Sequence, residues 1–172
     1  AVAPCGGQSF GKKALVKRWP LEAYAEIINR MRSAYNAFFC ILAGPNEKDD
    51  VTALIDTIDD TSAVYDASEC TITQIAALVE QCDLTIANDT GPVRFANALH
   101  KKTVAIFGPV DERVYGLYPE DPGRFANVCN TVSCRPCYMH PKLNECTNDH
   151  RCLTELTHDQ VFSVVEGLLN NP

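Results

Sequence analysis

No apolar run in the 172 residues approaches the roughly 18 that a membrane-spanning helix needs, so no spanning segment is expected. The opening AVAPCGGQSFGKK lacks the basic-then-apolar order of a secretory leader. Positive charge is in deficit: 15 Lys+Arg against 22 Asp+Glu give a formal net charge of -7. That balance excludes a general nucleic-acid binder while leaving room for a local anion site. Internal repeats, low-complexity tracts and linker-like stretches are also missing, so one domain over residues 1–172 is expected. An initiator Met is missing too, and the chain opens directly in the strand-like Ala1–Ala3, which is expected of a piece of a longer protein.

What is present suits a globular core, because 46% of the residues are hydrophobic and 22% charged. Short β-like runs alternate with longer helical patterns, the signature of βαβ units around a parallel sheet with helices on both faces. The expected class is α/β, Rossmann-like. Strands are expected at Ala1–Ala3, Ala37–Ala43, Ala63–Tyr65, Leu84–Ala87, Thr103–Phe107 and Phe125–Val128. Helices are expected in WPLEAYAEIINRMRSA, with Pro20 in the first turn, in EKDDVTALIDTI, in TITQIAALVEQC, in GPVRFANAL and over His158–Leu169. Thr71 and Gln74 have the spacing of a capping box.

The nine cysteines fall into two groups. Cys5, Cys40, Cys70 and Cys82 lie in or beside apolar runs, where a reduced thiol acts as a small hydrophobe. The odd total and core-rich composition favour a reducing compartment over a secreted disulfide scaffold.

In an open parallel sheet ligands bind beyond the carboxyl ends of the strands, so the loops after each strand carry the chemistry. NDTGP is the most telling: the first-turn N–H groups of a following helix have no intrahelical partners and attract an anion. Thr90 could add a hydroxyl there, and Gly91 permits close approach. The plainer reading is that Asp89 or Thr90 caps its own helix. The first loop, CGGQSFGKKALVKRWP, reads as a flexible Gly-containing segment with Lys12, Lys13, Lys17 and Arg18. Solvation accounts for Lys12 and Lys13. Lys17 and Arg18 abut the helix entry on the same sheet end as NDTGP. Glu47, in GPNE, could bridge two ribose hydroxyls or merely favour the helix dipole.

Together KRWPLEAYAEII, LAGPNE, ITQIAALVEQCDLTIANDTGP and KKTVAIFGPVDE resemble glycosyltransferase family 9, the bacterial heptosyltransferases. The resemblance covers nearly the whole chain and implies the carboxy-terminal, donor-binding half of a GT-B enzyme, with the amino-terminal acceptor half absent. It implies transfer of a heptose or related sugar from a nucleotide-sugar, usually ADP-heptose, to a lipopolysaccharide core, without an essential metal or cofactor. By this likeness Lys17 contacts the donor diphosphate, Glu47 the ribose, Asp89 the sugar, and Thr90 and Gly91 the phosphate. No catalytic residue is expected within the chain, because the resemblance puts the base in the other half. Family members usually carry His where this sequence has Arg94; the guanidinium, permanently charged and able to hold phosphate bidentately, is expected to approach the donor. A salt bridge to Asp89 or Asp111 is the plainer reading of Arg94. The implied setting is the bacterial cytoplasm, at the inner face of the inner membrane for a full-length enzyme, without insertion or nucleic-acid partners. A GT-B sugar-nucleotide epimerase and a non-catalytic nucleotide-binding module are the alternatives.

Cys129, Cys134, Cys137, Cys146 and Cys152 form the second cysteine group, and His140 and His150 lie among the last four, the candidate metal ligands. The leading CxxC suits a structural zinc, whereas the second pair, with five residues between, does not follow a zinc-ribbon spacing. An iron–sulfur cluster has the same ligand count; free or pairwise-oxidised thiols are the plainer reading. The segment has almost no apolar periodicity, so a pin such as zinc is expected, purely structural because none of the four thiols belongs to the donor loops.

Overall fold

A computed structural model describes residues 1–9, 12–138 and 146–171. Its strands are β1 (Val2–Ala3), β2 (Gln8–Ser9), β3 (Lys12–Lys13), β4 (Phe39–Ile41), β5 (Val64–Asp66), β6 (Leu84–Asn88), β7 (Lys102–Phe107) and β8 (Phe125–Cys129). Its α-helices are α1 (Leu21–Tyr35), α2 (Lys48–Ile55), α3 (Ile72–Gln81), α4 (Gly91–Ala98), α5 (Glu112–Tyr115), α6 (Arg151–Thr154) and α7 (His158–Leu169). Six strands form one sheet in the order β5-β4-β1-β6-β7-β8, every neighbouring pair parallel. The order reverses between β1 and β6, the switch point at which the loops of an open α/β sheet part to leave a crevice.

Alternation along the strands divides the core. Val2, Ile41, Ile86, Val104 and Ile106 face one side, where α1, α2 and α7 bury Ile27, Ile28, Leu54 and Val165. Ala3, Ala87 and Ala105 face the other, and these small side chains let α3 and α4 approach closely with Val79, Val93 and Ala96. All five residues of β6 are buried, so the central strand ends in a position fixed by packing on both faces. Helices thus cover both faces, as the apolar strands imply.

Most element bounds fall within two or three residues of the sequence expectation. The capping box forms at Thr71 and Gln74, and a second at Thr157 and Gln160. Pro20 is the residue before α1 and not inside its first turn. The loop after β1 is less loose than its glycines suggest: β2 and β3 pair antiparallel, and a 3-10 turn spans Leu15–Lys17. Gly7 holds φ +68°, and a Cβ on Gly6 would lie 2.3 Å from the Ala14 carbonyl oxygen, so both positions need glycine. Trp19 closes this loop, fully buried, its Nε1 donating to the Leu156 carbonyl at 2.8 Å and its ring edge-on to Tyr24. Among the described residues no helix is long and apolar enough to cross a membrane.

Candidate donor-binding site

The site assembles where β1 and β6 part. Asn88, the last residue of β6, is wholly buried and serves three neighbours. Its Nδ2 donates to the carbonyls of Pro4 at 2.7 Å and Cys5 at 3.3 Å, and its Oδ1 accepts from Trp19 N at 3.1 Å. One amide therefore ties the end of β1, the entry to α1 and the end of β6 together. Its neighbour Asp89 is fixed by that tie.

Asp89 is 7% exposed, a depth at which a carboxylate needs its charge matched. It has two partners: Lys17 Nζ donates to Oδ2 at 3.0 Å, and Arg94 Nη2 donates to Oδ1 in a very short contact. Arg94 also donates to the Gly116 carbonyl at 3.3 Å. Two cations against one carboxylate leave this triad with a surplus of positive charge. The salt bridge to Asp89 expected as the plainer reading of Arg94 is formed; Asp111 instead pairs with Arg113 and precedes α5.

Thr90 precedes α4 but makes no side-chain cap, its Oγ1 donating back to the Asn88 carbonyl at 3.1 Å. With both Asp89 oxygens turned to cations, neither residue caps the helix, so the plainer reading of NDTGP is not realised. The first-turn N–H groups of α4 gain no side-chain acceptor from them. A Cβ on Gly91 would meet nothing within 4 Å, so the space beside the turn is open. Lys17, Asp89, Thr90, Gly91 and Arg94 are thus brought together beside an α4 terminus whose dipole favours an anion.

Glu47 stands just before α2 and does something the sequence did not suggest. Its Oε1 accepts from Gly7 N and its Oε2 from Gly44 N, each at 2.9 Å, so one buried carboxylate joins the loops after β1 and β4. Arg18 is drawn away from the site, forming two hydrogen bonds to Asp50 at 2.8 and 2.7 Å. Between Glu47 and Gly91 opens a cavity of about 210 Å³, walled by apolar groups including Leu42, Ile75, Pro92 and Phe95. A larger one, about 680 Å³, lies at the amino ends of the strands beside Val2, Phe39 and Leu84, and no candidate donor residue lines it.

Cys40, Cys70, Cys82, Cys129, Cys134, Cys137, Cys146 and Cys152 are free thiols. Cys5 is buried, while Cys40, Cys70 and Cys82 are partly so, consistent with packing roles. In the second group Cys134 and Cys146 are exposed and Cys152 is buried. Burial pushes the Cys152 thiol up to about 11, and nearby Cys137 acts in the same direction. Cys146 Sγ accepts from His150 N at 3.3 Å. His140 lies outside the described residues. Among the described residues no three His, Cys, Asp or Glu side chains could hold a metal ion, so the arrangement does not fit the expected zinc or iron–sulfur set.

The pin is a cation of the chain itself. Arg135 donates to the carbonyls of Gly108, at 2.5 Å, and Val110, at 3.0 Å, and to Glu112 Oε2 at 2.7 Å. The same loop reaches the donor residues through Tyr138, whose ring centroid lies 4.4 Å from Lys17 Nζ.

The chain is 25% identical over 96% of its length to lipooligosaccharide heptosyltransferase 2 of Campylobacter jejuni, spanning 50% of that protein. It spans about half the length of the two Campylobacter relatives it matches. In fold it resembles the Escherichia coli ADP-heptose LPS heptosyltransferase II, with TM-score 0.76 and 18% identity over 98% of this chain and 46% of that one. A Veillonella parvula glycosyl transferase family 9 structure gives TM-score 0.77 and 23% identity over 98% of this chain and 45% of that one. The sheet is thus that of one half of a GT-B glycosyltransferase. Residues 7–148 match the sequence profile of glycosyltransferase family 9 (heptosyltransferase), a span that includes Lys17, Glu47, Asp89, Thr90, Gly91 and Arg94, and the chain belongs to that family.

Proposed function

We propose that this chain binds the nucleotide-sugar donor of a glycosyltransferase that moves a heptose or related sugar onto a lipopolysaccharide core. The donor is ADP-heptose or a close analogue. The observation that carries the reading is the surplus cation at the α4 terminus: Lys17 and Arg94 share the one carboxylate of Asp89 beside first-turn N–H groups. A diphosphate supplies the charge such a place attracts. The apolar cavity between Glu47 and Gly91 offers a slot for a base, and the Glu47 carboxylate retains lone pairs beyond the two it gives to Gly7 and Gly44. The name of the E. coli relative supports ADP-heptose as the donor.

In the transfer the acceptor hydroxyl oxygen bonds to the anomeric carbon as the bond from that carbon to the distal phosphate oxygen breaks, the hydroxyl proton passes to a base, and negative charge develops on the departing nucleoside diphosphate. Lys17, Arg94 and the α4 N–H groups would meet that charge from fixed positions, the form of electrostatic assistance that needs no rearrangement during reaction. No residue of this chain is assigned as the base for the acceptor hydroxyl. The acceptor would be held by a further part of the protein, as the GT-B architecture requires. Reduced cysteines support a cytoplasmic setting.

Calorimetric titration of the chain with ADP, UDP and GDP tests the reading. ADP is expected to bind, and Lys17→Ala to weaken ADP by about tenfold or more while leaving adenosine nearly unchanged, since the lost partner is a charge-assisted one. Absence of binding by any nucleoside diphosphate would overturn it.

A further inference from the structure

A lysine ammonium rides on a flexible stem, and a single ion pair restrains it weakly. Lys17 has a second restraint. Its Nζ lies 4.4 Å from the centroid of the Tyr138 ring, inside the roughly 6 Å range of a cation–π contact, while Asp89 takes one of its donors at 3.0 Å.

The ring is itself well carried. The N–H groups of Cys137 and Tyr138 both donate to the Pro109 carbonyl, at 3.0 and 3.1 Å. Three residues earlier Arg135 fastens the same segment to Gly108, Val110 and Glu112. Tyr138 therefore projects from a segment bolted to the loop that leaves β7, a strand paired on both sides within the sheet.

We infer that Tyr138 is a positioning residue of the donor site, its ring face holding the Lys17 ammonium where a nucleoside diphosphate meets it. The inference rests on the nucleotide reading above. The chemistry of the clamp matters: a ring face attracts the cation through its quadrupole without cancelling its charge, whereas a second carboxylate would consume the surplus that an anion needs. An ammonium held in advance also loses less freedom when the diphosphate arrives. The cysteine-containing segment thereby acquires a part in donor binding that its thiols do not supply.

Two substitutions test the role. Tyr138→Phe keeps the ring; Tyr138→Leu removes it. ADP and adenosine affinities are measured by calorimetry, and the clamp is read separately from the ring-current shift of ¹³C-methylated Lys17, assigned with Lys17→Arg. Tyr138→Leu is expected to weaken ADP by about three- to tenfold, leave adenosine unchanged and abolish the upfield shift. Tyr138→Phe is expected to preserve all three. A Tyr138→Leu chain that binds ADP as tightly as the wild type overturns the role, as does a Tyr138→Phe chain that loses as much as Tyr138→Leu. A wild type that shows the ring shift but binds no nucleoside diphosphate fails the nucleotide reading, and the role falls with it.

Discussion

Lys17 Nζ donates to Asp89 Oδ2 at 3.0 Å, joining residues 72 apart in sequence across the gap where the strand order reverses. Both side chains are largely withdrawn from solvent, 15% and 8% exposed, so the pair is screened less than a surface one. The same carboxylate holds Arg94, and the three groups behave as a unit.

Asp89→Asn keeps the shape and removes the charge, leaving Lys17 and Arg94 facing each other without a counter-ion. A loss of about 1–3 kcal/mol in folding stability is expected. Urea unfolding measures it; an unchanged midpoint would mean that the cations re-solvate freely.

Asn88→Ala strips partners from the Pro4 and Cys5 carbonyls and from Trp19 N–H. With those groups buried, about 2–4 kcal/mol is the expected loss. Asn88→Asp, which can accept from Trp19 but cannot donate to the carbonyls, should recover only part of it. Equal stability of Asn88→Asp and the parent would show the two carbonyl bonds to be dispensable.

Arg94 is 42% exposed on its side chain, so replacing it should cost little stability, within about 1 kcal/mol. Arg94→His introduces the residue that the family resemblance implies at this position. It is expected to leave ADP affinity largely intact while altering the ranking among ADP-sugars, measured by competition. An unaltered ranking would reduce Arg94 to a partner of Asp89 and Gly116.

Thiol reactivity should follow burial. Cys134 and Cys146 are exposed and are expected to be alkylated first. The raised Cys152 value, about 11, means that its thiolate is scarce at neutral pH and grows only as the pH climbs from the ordinary thiol range through that value. Mass spectrometry of alkylated protein at rising pH follows the order. Prompt neutral-pH modification of Cys152 would contradict its buried placement.

The alternation of apolar runs made the sheet and both helix layers legible, and local spacing revealed the cap at Thr71 and Gln74, because those features depend on near neighbours. Lys17, Asp89, Thr90 and Gly91 were legible because they sit in loops that the sheet class gathers at one end. Partners distant in sequence were not. Nothing near Glu47 announces that Gly7 will be its donor, and nothing near Arg18 points to Asp50. Tyr138 was hidden for the same reason, in a segment whose cysteines drew the chemical reading toward metal. The antiparallel strands β2 and β3 have two residues each, too few for a period to register.

Trp19 gives the molecule a natural optical reporter. It is the sole tryptophan, fully buried, with Nε1 donating to the Leu156 carbonyl and its ring centroid 5.0 Å from that of Tyr24. Its emission therefore arises from a dry environment, fed by energy transfer from the neighbouring phenol. Because Trp19 N–H is bound to Asn88 and its indole to Leu156, two residues before α7, one fluorescence signal senses the donor loop and the entry to α7 together. No label need be attached to follow either.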